Sequence, residues 1–211
     1  MIKAIVFDLG GVLVNLDLDI CISTFRSVLG YDSITEILDP YHQKGIYSDL
    51  EEGLLSPDGF RAKILEGSRP GSRPEDVDRC MESLLTGMDM EKVPLLQELA
   101  RQYPLYLLTN NNPISMARCH KAFEEAGLDW KSVFRDEFIS CEMKMLKPSR
   151  GIFEETVRRV GVDASEILFI DDSPMNVEGA LACGIRAVRY RQGEDLDAVI
   201  RKAIVEEAAD A

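Results

Sequence analysis

Three short apolar runs, each ending in polar residues, constrain the fold of this chain more than any other feature. IKAIVFD (2–8), PLYLLT (104–109) and EILFID (166–171) have the length and composition of buried strands. EFIS (137–140) and IRAVRY (185–190) are weaker candidates of the same kind. Strands that are almost continuously apolar are typical of a parallel sheet with both faces covered. The sequence therefore predicts such a sheet.

Helical patterns separate these strands from about residue 91 onward. Pro113 is preorganised for a first helical turn, and Ser173 followed by Pro174 is a good helix start. The predicted helices cover 91–102, 113–126, 149–160 and 174–183. This alternation implies right-handed βαβ units. We therefore expect an α/β fold, a Rossmann-like three-layer sandwich with a central parallel sheet.

Residues 16–88 have a different pattern. They contain helical periodicity and Gly-, Pro- and Ser-containing breaks, and no strand is predicted among them. The expected helices cover about 18–29, 56–66 and 74–86. A block of this length is too long for a simple crossover between neighbouring strands. We expect residues 16–88 to form an inserted α-helical cap, and residues 1–15 and 89–211 to form an α/β core.

The composition argues against several functional classes. The formal net charge of −13 disfavours binding to nucleic acid and to anionic membranes. The five cysteines form no CxxC pair, which argues against a disulfide framework and a zinc cluster. Asp8 interrupts the apolar N-terminus, so a signal peptide is not predicted. We expect a cytoplasmic protein with neither nucleic acid nor a membrane as a partner.

Chemically reactive side chains follow the three strong strands. Asp8 ends the first, Thr109 and three asparagines end the second, and Asp171 and Asp172 end the third, while Lys147 precedes a helix. Ligands of open α/β sheets bind beyond the carboxyl ends of the strands. Three carboxylates brought together there repel one another, and a hard cation such as Mg²⁺ would relieve this repulsion. A carboxylate beside a cation-bound phosphate can attack the phosphorus atom, and this attack is expected to form an aspartyl phosphate.

Four segments in the order FDLGGVLV, LLTNNN, KPSRGIF and FIDDSPMNVEGA resemble the four motifs of the haloacid dehalogenase superfamily of hydrolases. The helical insert after the first motif resembles the first-position cap of that superfamily. The resemblance implies a Mg²⁺ cofactor and a set of site residues. The implied catalytic residues are Asp8, Thr109 and Lys147, the substrate-binding residues are Thr109, Asn110 and Lys147, and the metal ligands are Asp8, the Gly10 carbonyl, Asp171 and Asp172.

The sequence departs from the usual family pattern at Gly10. Most phosphatases of the family have an aspartate two residues after the nucleophile, which protonates the leaving alcohol and later activates water. A positioned acid or base is worth about 10²–10⁴-fold in rate. Some relatives with a DLG-type first motif resemble sugar-phosphate phosphatases. Asp17 and Asp19 are near enough to be considered as substitutes, but we interpret them as the N-cap and first-turn acids of a cap helix.

The expected function is metal-dependent hydrolysis of a small phosphate monoester, for example a sugar phosphate, through an aspartyl-phosphate intermediate. Two alternatives remain open. A 2-haloacid dehalogenase would release a halide, which needs no proton, and a catalytically weak module would bind a phosphorylated ligand without turning it over. The expected partner is a small phosphorylated metabolite, and the expected assembly is a monomer or a small homo-oligomer.

The cap yields fewer predictions. The segment 41–53 is either a loop that brings Tyr41, His42 and Tyr47 to the substrate or only a connection between helices, and we favour the connection. His42 and His120 are expected to be structural or exposed rather than catalytic.

Overall fold

The computed structural model describes residues 1–38 and 45–210. Its central sheet has five parallel strands in the order β5-β4-β1-β6-β7. The strands are β1 (Ala4–Phe7), β4 (Leu105–Thr109), β5 (Phe134–Ile139), β6 (Ile167–Asp171) and β7 (Arg186–Arg189), and two further strands, β2 (Asn15–Leu16) and β3 (Leu85–Gly87), form a separate antiparallel pair. The central sheet confirms the predicted fold class.

Alternate side chains of β1 explain why the sheet is covered on both faces. Ile5 and Phe7 lie in one apolar cluster, whereas Ala4 and Val6 lie in the other. β1 pairs with β4 on one side and with β6 on the other. Asp8, Thr109 and Asp171 therefore reach the same edge of the sheet, because parallel strands end together.

The helices after residue 88 flank the sheet. They are α6 (Lys92–Gln102), α7 (Pro113–Glu125), α8 (Trp130–Val133), α9 (Ser140–Met143), α10 (Arg150–Val160), α11 (Pro174–Ala182) and α12 (Leu196–Asp210). Leu96 of α6 and Phe123 of α7 pack on the face that holds Phe7. Phe153 of α10 and Ala180 of α11 pack on the face that holds Val6. The three layers match the expected sandwich, although α12 was not predicted.

Residues between β2 and β3 form a helical unit with its own apolar cluster. Its helices are α1 (Leu18–Thr24), a π-helix (Phe25–Leu29), α2 (Ile34–Ile37), α3 (Ile46–Glu51), α4 (Pro57–Glu66) and α5 (Pro74–Glu82). The cluster includes Phe25, Phe60 and Met81. The predicted helix over 74–86 was too long, since α5 ends at Glu82 and a strand follows. α3 was not predicted.

The absence of a strand from residues 16–88 was a wrong prediction. Leu16 of β2 pairs with Leu85 of β3 in an antiparallel ribbon that joins the helical unit to the sheet layers. Strands of two and three residues are too short to show an alternating apolar pattern. Gln192 binds this ribbon with both ends of its amide, which accepts from the Leu16 N–H at 2.8 Å and donates to the Leu16 carbonyl at 3.2 Å.

Among residues 1–38 and 45–210, no helix combines the length and the apolar character that crossing a bilayer requires.

Candidate active site

Asp8 lies directly after β1, at the centre of the sheet edge. Its backbone N–H donates to the Ile170 carbonyl at 2.8 Å, which extends the pairing with β6 by one residue. The side chain is 7% exposed. Its Oδ1 atom accepts from the Leu9 N–H at 2.7 Å and lies 2.8 Å from Lys147 Nζ. These contacts fix the orientation of the carboxylate.

Lys147 is the cation of this site and is almost completely buried. Its Nζ lies 2.8 Å from Asp8 Oδ1, 2.7 Å from Asp171 Oδ2 and 2.9 Å from the Leu108 carbonyl. Asn110 holds the lysine backbone in place, because its amide accepts from the Lys147 N–H at 2.8 Å and donates to the Lys147 carbonyl at 2.9 Å. The predicted lysine therefore reaches the predicted nucleophile.

The pKa values in this site reflect opposing effects of burial and charge. Burial raises the pKa of Asp8 to about 8 against the attraction of Lys147, and the charges of Asp171 and Asp172 add to the rise. Burial alone would lower the pKa of Lys147, but the charges of Asp171 and Asp8 outweigh it, and this pKa is raised. Three carboxylates around one ammonium leave excess negative charge, which favours a bound cation.

Asp171 is fully buried and has several hydrogen-bond partners. Its Oδ1 accepts from the Ser173 N–H at 2.8 Å and from Asn176 Nδ2 at 3.0 Å. Asn176 Nδ2 also lies 3.1 Å from Oδ2, which binds Lys147 as well. Ser173 occupies the N-cap of α11, as predicted, but its side chain makes no capping hydrogen bond. The Asp171 carboxylate is therefore oriented by hydrogen bonds from protein groups.

Asp172 is less enclosed than Asp171 and lies against the first motif. Burial and the neighbouring Asp171 raise the pKa of Asp172. A Cβ atom at Gly11 would lie 2.5 Å from Asp172 Oδ2, and Gly11 has φ +75°. A side chain at position 11 would be strained and would displace this carboxylate.

The donor set fits a magnesium ion. Asp8, Asp171 and Asp172 each offer a carboxylate oxygen, and these atoms lie within 4.8 Å of one another. Gly10 lines the same cavity. Magnesium takes oxygen ligands and is usually bound through one or two carboxylates. Asp8, Asp172 and the Gly10 carbonyl would hold the ion, while Asp171, whose oxygens already accept hydrogen bonds, suits contact through water.

The residues that the sequence predicts to bind phosphate lie at the end of β4. Thr109 is 2% exposed and lines the cavity together with Asn110 and Ser115. Asn112 caps α7 by accepting from the N–H groups of Ile114 and Ser115 at 3.1 and 3.2 Å. The predicted substrate-binding residues thus lie beside Asp8, next to the start of a helix, where anions are favoured.

The helical unit supplies the opposite wall of the cavity, which has a volume of about 250 Å³. Tyr47 and Glu51 of α3 line it, together with Leu16, Leu84 and Leu85. The interpretation of 41–53 as only a helix connection was therefore wrong for its second half. Tyr41 and His42 lie outside the described residues. No sequence signal singled out Glu51, because one acid on a short helix has no distinctive spacing.

Other sequence interpretations agree with the structure. Asp17 caps α1 by accepting from the Ile20 N–H at 2.9 Å, and Asp19 lies in the first turn. His120 stacks on Trp130 with ring centroids 4.0 Å apart and binds Glu137 at 3.0 Å. Asp17, Asp19 and His120 are not among the residues that line the cavity.

Comparisons with known proteins agree with this geometry. A D-ribitol-5-phosphate phosphatase of Bacteroides thetaiotaomicron is 32% identical over 196 residues, which are 92% of this chain and 95% of that protein. The crystal structure of a wild-type haloacid dehalogenase (HAD) family enzyme from the same organism, in complex with magnesium and inorganic phosphate, matches this chain with a TM-score of 0.87 and 35% identity. That match covers 95% of this chain and 100% of the other.

A third relative is a predicted HAD-like family hydrolase of Porphyromonas gingivalis, with a TM-score of 0.85 and 34% identity over 96% of this chain and 98% of the other. The family model of haloacid dehalogenase-like hydrolases matches residues 2–184 and thus includes all four motifs. Fold, motifs and relatives agree on a phosphatase that uses Mg²⁺. The chain belongs to the haloacid dehalogenase-like hydrolases.

Proposed function

We propose that this protein hydrolyses the phosphate monoester of a small sugar or sugar alcohol, with Asp8 as the nucleophile. The observation that carries the proposal is the convergence of Lys147, Asp171 and Asp172 on Asp8; all of these except the fully buried Asp171 line one cavity. The volume of about 250 Å³ suits a small phosphorylated metabolite. The similarity to a D-ribitol-5-phosphate phosphatase supports a polyol or sugar phosphate as the substrate class.

The proposed roles follow from the contacts. Bound Mg²⁺ supplies positive charge to the carboxylates and to the phosphoryl group. Asp8 attacks the phosphorus atom. Lys147 Nζ, 2.8 Å from Asp8 Oδ1, orients the Asp8 carboxylate and neutralises negative charge at the site. Thr109 and the N–H of Asn110 bind phosphate oxygens. We also propose that residues 1–15 and 89–211 carry the nucleophile and the metal ligands and that residues 16–88 limit substrate size by covering the cavity.

A substrate panel tests the proposal. Phosphate release from ribitol 5-phosphate, other pentose and hexose phosphates and glycerol 3-phosphate is measured with Mg²⁺ and with EDTA. We expect activity that EDTA removes and that Asp8→Asn lowers by about 10⁵–10⁶-fold, as removal of a nucleophile does elsewhere. Asp19→Asn is the control, since Asp19 is exposed in the first turn of α1.

Two results would contradict the proposal. Halide release from 2-haloacids without added metal would favour a dehalogenase. Tight binding of phosphorylated ligands with no turnover over hours would favour a binding module. The proposed cytoplasmic location and the proposed monomer or small homo-oligomer are tested separately by cell fractionation and by sedimentation velocity.

A further inference from the structure

Cleavage of an alkyl phosphate leaves an alkoxide that must be protonated, and Gly10 has no side chain to do so. Three acidic residues line the cavity in the described part of the chain: Asp8, Asp172 and Glu51. Asp8 and Asp172 belong to the nucleophile and metal set. Glu51 is the remaining acid, and it enters from the helical unit, on the side opposite the sheet edge.

The backbone around Glu51 is fixed to the core by two hydrogen bonds. Ser140 Oγ donates to the Glu51 carbonyl at 2.6 Å, and Lys144 Nζ donates to the Gly53 carbonyl at 2.6 Å. Gly53 has φ +69°, and a Cβ atom there would collide with the Cys141 carbonyl and with the Lys144 amine. The end of α3 is thus docked on the α9 turn, and this docking keeps the Glu51 side chain at the cavity.

The surroundings of Glu51 favour a carboxyl group that holds a proton. Burial raises the pKa of Glu51 to about 8, and Asp8 contributes to the rise. A hydrogen bond from Tyr47 and the charge of Lys147 act in the opposite direction. On the α9 turn, burial raises the pKa of the Cys141 thiol, and the charge of Glu51 contributes to this rise.

We propose that Glu51 is the general acid and base that replaces the acid absent at position 10. This role rests on the proposed phosphatase function. In the first step, an oxygen of Asp8 forms a bond to phosphorus, the bond from phosphorus to the ester oxygen breaks, and that oxygen takes its electron pair and the Glu51 proton. In the second step, Glu51 takes a proton from water, the water oxygen attacks phosphorus, and the bond to Asp8 breaks. Phosphate leaves, and Glu51 is protonated again.

The test compares Glu51→Gln with Glu52→Gln, its neighbour, which is not among the cavity-lining residues. The substrates are the most active alkyl phosphate of the panel and p-nitrophenyl phosphate, whose leaving phenolate needs no proton. We expect Glu51→Gln to lower kcat for the alkyl phosphate by about 10²–10⁴-fold. Glu52→Gln should keep the wild-type rate. Thermal unfolding and Mg²⁺-dependent binding of inorganic phosphate verify that both variants are folded and have intact sites.

Pre-steady-state kinetics separate a chemical role from a structural one. With p-nitrophenyl phosphate, Glu51→Gln should release about one nitrophenolate per active site rapidly and then turn over slowly, because only the water step lacks its base. The mass of Asp8-containing peptides should show the trapped phosphoryl group. In wild type, kcat/KM for the alkyl phosphate should fall at alkaline pH, where Glu51, whose pKa is raised by burial, loses its proton, and Glu51→Gln should lack this limb.

The outcomes distinguish this role from the function itself. If wild type releases no phosphate in the presence of Mg²⁺, both the proposed function and the role of Glu51 are wrong. If wild type is active and Glu51→Gln hydrolyses the alkyl phosphate equally well, only the role of Glu51 is wrong. The role of Glu51 is also wrong if a folded Glu51→Gln loses activity toward both substrates equally and shows no burst. It is wrong as well if Glu51→Gln keeps the fall in kcat/KM at alkaline pH.

Discussion

The two walls of the cavity are built in different ways. One wall, the core wall, consists of the residues at the end of the parallel sheet. Lys147 and Asp171 on this side are 1% and 0% exposed, and each has several hydrogen-bond partners. The other wall, the cap wall, is formed by α3 of the helical unit. Glu51 and Tyr47 are half-buried on this six-residue helix. That helix is joined to the core by side chains that bind backbone carbonyls.

This difference matches the two parts of the proposed reaction. Every phosphate monoester presents the same phosphoryl group, so the groups that attack it and neutralise its charge can be rigid. Leaving alcohols differ between substrates, and the groups proposed to face them lie on a short helix outside the sheet layers, which is held to the core through Ser140 and Lys144. Substitutions on the two walls should therefore have different effects. Those on the core wall should lower stability and metal affinity, whereas those on the cap wall should lower only turnover.

The largest effect on stability is expected from Lys147→Met on the core wall. The change leaves Asp8 and Asp171 buried without their cation, which should cost about 3–5 kcal/mol in the free energy of unfolding. The matched control is Lys3→Met, because Lys3 pairs with Glu166 at 2.7 Å but is 58% exposed, and exposed ion pairs contribute little to stability. Urea unfolding followed by circular dichroism measures both values. Equal losses in the two variants would show that the core wall is not held by this ammonium.

A smaller effect, on metal affinity, is expected from Asn176→Ala. Asn176 Nδ2 contacts both oxygens of Asp171, at 3.0 and 3.1 Å, and its loss should leave this carboxylate less well oriented. Changes to residues that orient metal ligands typically weaken affinity about 10–100-fold. Titration of phosphate release with Mg²⁺ measures the change. Asn15→Ala removes a similar bond, to Asp89 at 2.8 Å, and should leave the Mg²⁺ dependence unchanged, because neither residue lines the cavity.

The core wall could be predicted from the sequence because its signal is local. Each strand that is buried on both faces is a continuous apolar run, and the next residue is the one that reaches the sheet edge. Asp8, Thr109 and Asp171 could therefore be placed together without coordinates. The position of Lys147 was also predicted, although its bond to the Leu108 carbonyl was not.

The cap wall could not be predicted, because its geometry depends on contacts between distant residues. Ser140 and Glu51 are 89 positions apart, and their hydrogen bond involves a backbone carbonyl that leaves no mark on the sequence. The ribbon of Leu16 and Leu85 is too short to produce a pattern. Glu51 therefore looked like any surface acid, and the missing proton donor could be inferred only as a gap at Gly10.

The smallest effect is expected from Lys144→Met on the cap wall. Lys144 Nζ donates to the Gly53 carbonyl at 2.6 Å, and its removal should make the docked position of α3 less populated without touching the core carboxylates. A hydrogen bond of this kind contributes about 0.5–1.5 kcal/mol, so kcat for the alkyl phosphate should fall by about 2–10-fold while the Mg²⁺ dependence stays the same. Lys121→Met is the control, because Lys121 is an exposed lysine of α7 whose ion pair is with Glu125. A loss of Mg²⁺ affinity in Lys144→Met would show that the two walls are coupled, and the distinction between a rigid core wall and an adjustable cap wall would then fail.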